Sequence, residues 1–98
     1  MSKFNLGRLY MTKAVNELVA DDEQFAKDIN NALEKYVNCD WGTLEYPEDI
    51  KLNEKTIETE IGNIQGVYET SHGTVWIMTD MNKHENYYVT TILFPSEY

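Results

Sequence analysis

Hydrophobic periodicity changes once along this chain, and that change limits the folds open to it. Phe25, Ile29, Ala32, Leu33 and Tyr36 fall at i, i+4, i+7, i+8 and i+11, a single apolar stripe down one side of a helix. From Asn63 the pattern becomes that of strands. Residues 64–70, 74–80 and 86–94 are rich in aromatic and β-branched side chains, which suit a pleated, half-buried surface. Ser71-His72-Gly73 and residues 81–85 interrupt these runs as hairpin loops do. Helices first and strands after, in a chain of 98 residues, predict one α+β domain over 1–98. Its helices should pack on one face of a three- or four-stranded antiparallel sheet.

Local signals place the remaining elements. Leu6, Arg8 and Tyr10 alternate with Gly7, Leu9 and Met11 as in a strand. Thr12 suits the N-cap of a short helix carrying Val15, Leu18 and Val19. Asp21 and Gln24 stand at capping-box spacing and are expected to open the main helix, over about 22–37. Glu23 and Lys27 are spaced to pair on its outer side. Residues 38–42 should end that helix and turn the chain. Pro47 fits the first turn of a third helix with Ile50, Ile57 and Ile61 on one face. The alternation from Thr56 to Ile61 leaves a strand open as the second half of that segment. In the middle strand, Val75 and Ile77 oppose Trp76 and Met78. Both its faces are apolar, so something besides the helices is expected to cover the second.

Charge is the second constraint. The chain has a net charge of −9, and residues 40–60 hold seven acids against Lys51 and Lys55. Such a segment repels nucleic acid and membrane surfaces and attracts a basic partner. Arg8 is the only arginine, so no basic stripe exists to hold a phosphate backbone. No apolar run approaches the roughly 18 residues of a membrane span, and the N-terminus lacks an apolar signal segment. Cys39 is the only cysteine, which rules out an internal disulfide and fits a reducing, cytosolic setting.

Catalytic and metal chemistry find little support. His72 and His84 fall in expected loops at opposite ends of one strand, and no CxxC, HxxxH or HExxH spacing is present. Cys39 follows a helix C-terminus, where the dipole raises a thiol pKa. Ser71 and His72 are sequence neighbours, poorly placed to aim at one another, and no GxSxG elbow exists. Paired carboxylates need a cleft that a domain of this size seldom provides. No catalytic residue, metal ligand or cofactor site is therefore assigned. The acidic segment is read either as a solvated face or as a recognition surface. For recognition the candidates are Glu45, Glu48, Asp49, Glu54, Glu58 and Glu60, with Trp41 and Tyr46 as aromatic anchors. On a helix, Glu54 and Glu58 lie one turn apart, so their carboxylates can form a row that stands in for phosphates.

Three stretches carry a resemblance: Leu6-Gly7-Arg8-Leu9-Tyr10-Met11-Thr12, Asp40-Trp41-Gly42, and the ending from Thr90 through Ile92-Leu93-Phe94-Pro95-Ser96-Glu97-Tyr98. Together they resemble small "plasmid-related" proteins of Gram-positive bacteria and their mobile elements. The chain departs from that pattern at residues 60–66 and 83–88. The resemblance implies a bacterial cytosolic protein that travels with plasmids or phages, with no catalytic motif. In that setting the expected function is a non-enzymatic counter-defence inhibitor, an anti-CRISPR protein that binds a Cas9-type nuclease and blocks its DNA or guide groove. The alternative is a housekeeping or regulatory component of the element that self-associates, as a homodimer, through the Trp76 and Met78 face.

Overall fold

The computed structural model describes residues 3–98. A short strand β1 (Arg8–Met11) leads into helices α1 (Lys13–Asp21), α2 (Glu23–Val37) and α3 (Pro47–Thr59), followed by strands β2 (Ile61–Thr70), β3 (Gly73–Asn82) and β4 (Tyr87–Leu93). The strands form one sheet in the order β1-β4-β3-β2. Strands β2, β3 and β4 are antiparallel neighbours, and β1 joins β4 in parallel. The expected α+β class holds, with one parallel pair where only antiparallel pairing was anticipated. That pair arises because β1 and β4 are joined through the whole of the intervening chain. Only a long connection can bring two strands side by side in the same direction.

Caps decide the helix boundaries. The Thr12 hydroxyl accepts from the Val15 amide at 3.4 Å, as its position predicts. The second cap is Asp22 and not Asp21: Asp21 closes α1, and Asp22 accepts from the Phe25 amide at 3.1 Å. Gln24 does not complete a capping box, since its amide donates to Asp28 at 2.9 Å. Glu23 and Lys27 pair at 3.7 Å, an exposed contact of little energetic weight. Helix α3 persists to Thr59, so the alternation of residues 56–61 yields helix, and Ile61 is the first residue of β2 instead of a member of the helix face. At the N-terminal end, Gly7 (φ 64°) separates Leu6 from β1. A Cβ there would sit 1.9 Å from the Tyr88 carbonyl oxygen, so only glycine lets the chain approach β4 this closely.

Phe25, Ile29, Ala32 and Tyr36 of α2 are buried together with Val15 of α1 and with Ile64, Tyr68, Val75, Ile77, Met81 and Ile92 of the sheet. Each fully buried large side chain contributes about 1.5–3 kcal/mol. A line of hydroxyls crosses this core. Tyr36 Oη meets Thr79 Oγ1 at 2.6 Å, Thr79 meets Thr90 at 2.7 Å, and Thr90 donates to the Leu6 carbonyl at 2.8 Å. Because Thr90 spends its one proton on Leu6, Thr79 must donate to Thr90 and Tyr36 to Thr79. Burial pushes the Tyr36 phenol pKa up, so it stays protonated as this chain of donors requires. The line ties α2, through β3 and β4, to the segment that precedes β1.

Candidate protein-binding surface

The acidic segment is built on α3, which occupies an unusual place in the fold. Its inner side meets the outer edge of β2. The Asn53 amide donates to the Gln65 carbonyl at 2.8 Å and accepts from the Gln65 amide at 3.0 Å, while the Thr56 hydroxyl donates to the Asn63 carbonyl at 3.1 Å. Further along the same edge, the Val67 amide donates to the Trp41 carbonyl and the Thr43 amide to the Val67 carbonyl. The edge strand is thereby capped by the side chains of Asn53 and Thr56 and by the backbone of residues 41–43, which together imitate a neighbouring strand. Asn53 and Thr56 are 3% and 2% exposed; polar residues at inward helical positions are the trace of this arrangement in the sequence.

With that side committed to the sheet, the rotation of about 100° per residue sends Glu54 and Glu58 outward, and both are exposed one turn apart. Glu48 and Asp49 are exposed in the first turn, where negative charge is favourable at a helix N-terminus. Glu45 and Tyr46 are exposed in the preceding loop, and Tyr46 retains 63% of its surface. Lys51 and Lys55 also point outward, so the acidic row is interleaved with positive charge.

Two expected members behave differently. Trp41 is buried, packed edge-on to Tyr36 at 5.6 Å between ring centres and against Phe4 at 6.1 Å. As a partner anchor it is unavailable: the Asp40-Trp41-Gly42 turn uses the indole to close the core beneath the end of α2. Glu60 is exposed, but it ends α3 in the left-handed region (φ 58°), and its carboxylate accepts from the Tyr88 hydroxyl at 3.0 Å. It serves as a structural cap as well as an acid.

Sequence reasoning missed the apolar neighbours of this row. Leu52 is 55% exposed on α3. Together with Asp49, Asn53, Asn63, Gln65, Met78 and Tyr98 it lines a shallow cavity of about 180 Å³ between α3 and the open face of the sheet. Trp76 and Met78 lie on that face, half-exposed, while Val75 and Ile77 are buried under the helices. Part of the anticipated cover is the C-terminal residue, since Tyr98 meets Trp76 edge-on at 5.6 Å.

The histidines stand at opposite ends of β3, in the turns before and after it. His72 Nε2 lies 2.6 Å from Asp22 Oδ2, and the Ser71 amide donates to Asp28 at 2.8 Å, so the β2–β3 turn is docked on the first turn of α2. The His72 hydrogen bond holds the Asp22 carboxyl below its usual range, and the Ser71 amide does the same for Asp28. Burial raises the Cys39 thiol, with Glu54 adding to the shift and Lys3 opposing it; such a thiol is a poor nucleophile. Among the described residues no group of three metal-ligating side chains converges. Comparison with family models, with curated proteins and with solved structures finds no match for this chain.

Proposed function

We propose that this protein is a non-enzymatic inhibitor whose α3 edge enters a basic, nucleic-acid-binding groove of a protein partner. The observation that carries the reading is the division of labour on α3. Its inner face is fixed to β2 by Asn53 and Thr56, so Glu48, Asp49, Glu54 and Glu58 are displayed on a rigid support, interleaved with Lys51 and Lys55 and in no ion pair among the described residues. Charges held on a rigid element lose less freedom on binding than charges on a loop. Tyr46 and Leu52 supply the apolar contacts that Trp41 does not. The resemblance to plasmid-related proteins favours a Cas9-type nuclease as the partner, which makes the protein an anti-CRISPR factor of the bacterial cytosol.

The test is a DNA-cleavage assay of a Cas9-type nuclease titrated with the wild-type protein and with the double variant Glu54→Lys/Glu58→Lys. Inhibition by the wild type should weaken with rising salt, because exposed charges are screened beyond about 8 Å at physiological ionic strength. The double variant should lose inhibition while its melting temperature stays close to that of the wild type, since surface changes of this kind cost within about 0.5 kcal/mol. Equal potency of the two proteins would remove the electrostatic mechanism.

A further inference from the structure

The two outer strands of the sheet are treated in opposite ways. The β2 edge is occupied by Asn53, Thr56 and the Trp41–Thr43 segment. At the other end, Leu9, Tyr10 and Met11 of β1 are 46%, 49% and 37% exposed. The phase of the β1–β4 ladder identifies which backbone groups are free. The Thr12 amide donates to the Ile92 carbonyl, with Met11 registered against Ile92. In a parallel ladder alternate residues turn both backbone groups toward the neighbour. Tyr10 and Thr12 therefore face β4, and the N–H and C=O of Leu9 and Met11 face outward, with no backbone partner among the described residues.

We propose that β1 is a self-association edge, pairing antiparallel with β1 of a second copy about a two-fold axis at Tyr10, to give one continuous eight-stranded sheet. The register follows from three independent requirements. Keeping both helical layers on the same side of the joined sheet requires that paired residues come from the same face. Hydrogen bonding requires that Leu9 and Met11, the residues with outward backbone groups, form the bonded pairs. Setting Leu9 opposite Met11 of the second copy meets both, and places Tyr10 against Tyr10 at the axis as a non-bonded pair. The side chains then agree: apolar meets apolar on the helical side, and an aromatic pair forms on the open side.

Charge supplies the third requirement and names the occupant. The same register sets Arg8 opposite Thr12 of the second copy. The Thr12 hydroxyl donates to Glu97 Oε1 at 2.8 Å, and that same oxygen accepts from the Phe94 amide at 2.8 Å. The only arginine of the chain is thus brought, twice by symmetry, beside a carboxylate whose second oxygen has no hydrogen-bond partner among the described residues. The acidic α3 helices lie outside the two outermost β2 strands, which stand about 34 Å apart for eight strands at usual spacing, well beyond the screening length of about 8 Å. Pairing through β1 is the arrangement that best tolerates two copies of charge −9. It does not rest on the inhibitor reading, and it moves self-association from the Trp76 and Met78 face to the strand edge.

Sedimentation equilibrium across a micromolar to millimolar concentration series should give a monomer–dimer equilibrium. Leu9→Lys, a charge placed on a free edge at an exposed site, should weaken it about tenfold or more while circular dichroism stays that of the folded wild type. Arg8→Glu should weaken the dimer, and Arg8→Glu with Glu97→Arg should restore it. In a Cys39→Ser background, Tyr10→Cys should oxidise to a covalent dimer, because non-bonded antiparallel partners sit at about 4.5 Å between Cα atoms, within disulfide range. Arg8→Cys, which the register separates from its own copy, should cross-link far more slowly. A wild type that is monomeric throughout overturns the proposal, as does a dimer indifferent to Leu9→Lys or one that cross-links equally through Arg8→Cys.

Discussion

The two edges of this sheet show how one small domain can both prevent and permit contact. At β2 the exposed backbone is satisfied by side chains of α3, and the helix that seals the edge also carries the acids on its outer side. At β1 no such helix is laid down, and the strand presents Leu9, Tyr10 and Met11. Unpaired strand edges invite association and are usually blunted. Here one edge is blunted thoroughly and the other only by its shortness. The contrast teaches that α3 both displays Glu48, Asp49, Glu54 and Glu58 and seals the part of β2 around Gln65, so the surface cannot be altered at Asn53 or Thr56 without opening that edge.

The severest way to break this contrast is Asn53→Ala. It leaves both backbone groups of Gln65 without their partners at a nearly buried site. Each unsatisfied group costs about 1–3 kcal/mol, so urea unfolding should show a loss of about 2–6 kcal/mol. Native-state hydrogen exchange should speed up selectively at Gln65. A variant with wild-type stability would mean that the side-chain seal contributes nothing to holding β2.

A smaller effect is expected at the opposite edge from Gly7→Ala. The positive φ of Gly7 and the nearby Tyr88 carbonyl oxygen oppose any Cβ, and a strained residue of this kind costs about 1–3 kcal/mol. The chain should relieve the strain by letting β1 lift from β4. Amide exchange at Tyr10 and Thr12 should then accelerate, while β2 and β3 keep wild-type protection. Uniform acceleration across the sheet would show that β1 is as integral as the central strands.

Much of this architecture is legible in the residues themselves, for identifiable reasons. The α2 stripe and the cap at Thr12 are local signals that tertiary structure had no cause to override, and the alternation of Val75 and Ile77 against Trp76 and Met78 reports the two faces of β3 directly. What escaped depends on partners distant in sequence. Nothing near β1 announces that it pairs in parallel with β4, some eighty residues on. Trp41 has the composition of an exposed hot spot, and only the approach of Phe4 and Tyr36 from other segments makes it core. Asp21 and Asp22 are chemically equal as caps; the end of α1 selects between them. Glu54 and Glu58 lie one turn apart on a helix as their spacing predicts, yet the reason they point outward lies in Asn53 and Thr56, whose partners belong to β2.

The seal on the β2 backbone does not titrate, whereas the hold at the end of the β2–β3 hairpin does, and this gives the mildest effect. Asp22 accepts from His72 Nε2 and from the Phe25 amide, and its pKa is lowered in the folded protein from the ordinary 3.8, chiefly by the His72 hydrogen bond. Asp28 is lowered as well, chiefly by the Ser71 amide. A carboxyl with a depressed folded pKa contributes stability that is fully present above its unfolded value and is lost as pH falls through the folded value. The contribution of these two carboxyls to docking the turn on α2 should therefore be fully present above their ordinary range and decline below about pH 4. The indole and Tyr36 signals of the core should persist through that decline, because neither the Asn53 and Thr56 seal of β2 nor the Tyr36–Thr79–Thr90 line contains a group that protonates in this range. Chemical shifts of Ser71, His72 and Gly73 followed by NMR from pH 6 to pH 3 provide the measurement. In Asp22→Asn the His72 component of the shift should vanish and the pH-dependent step at the turn should shrink to the part owed to Asp28. Retention of the full step would assign the latch to Asp28 alone.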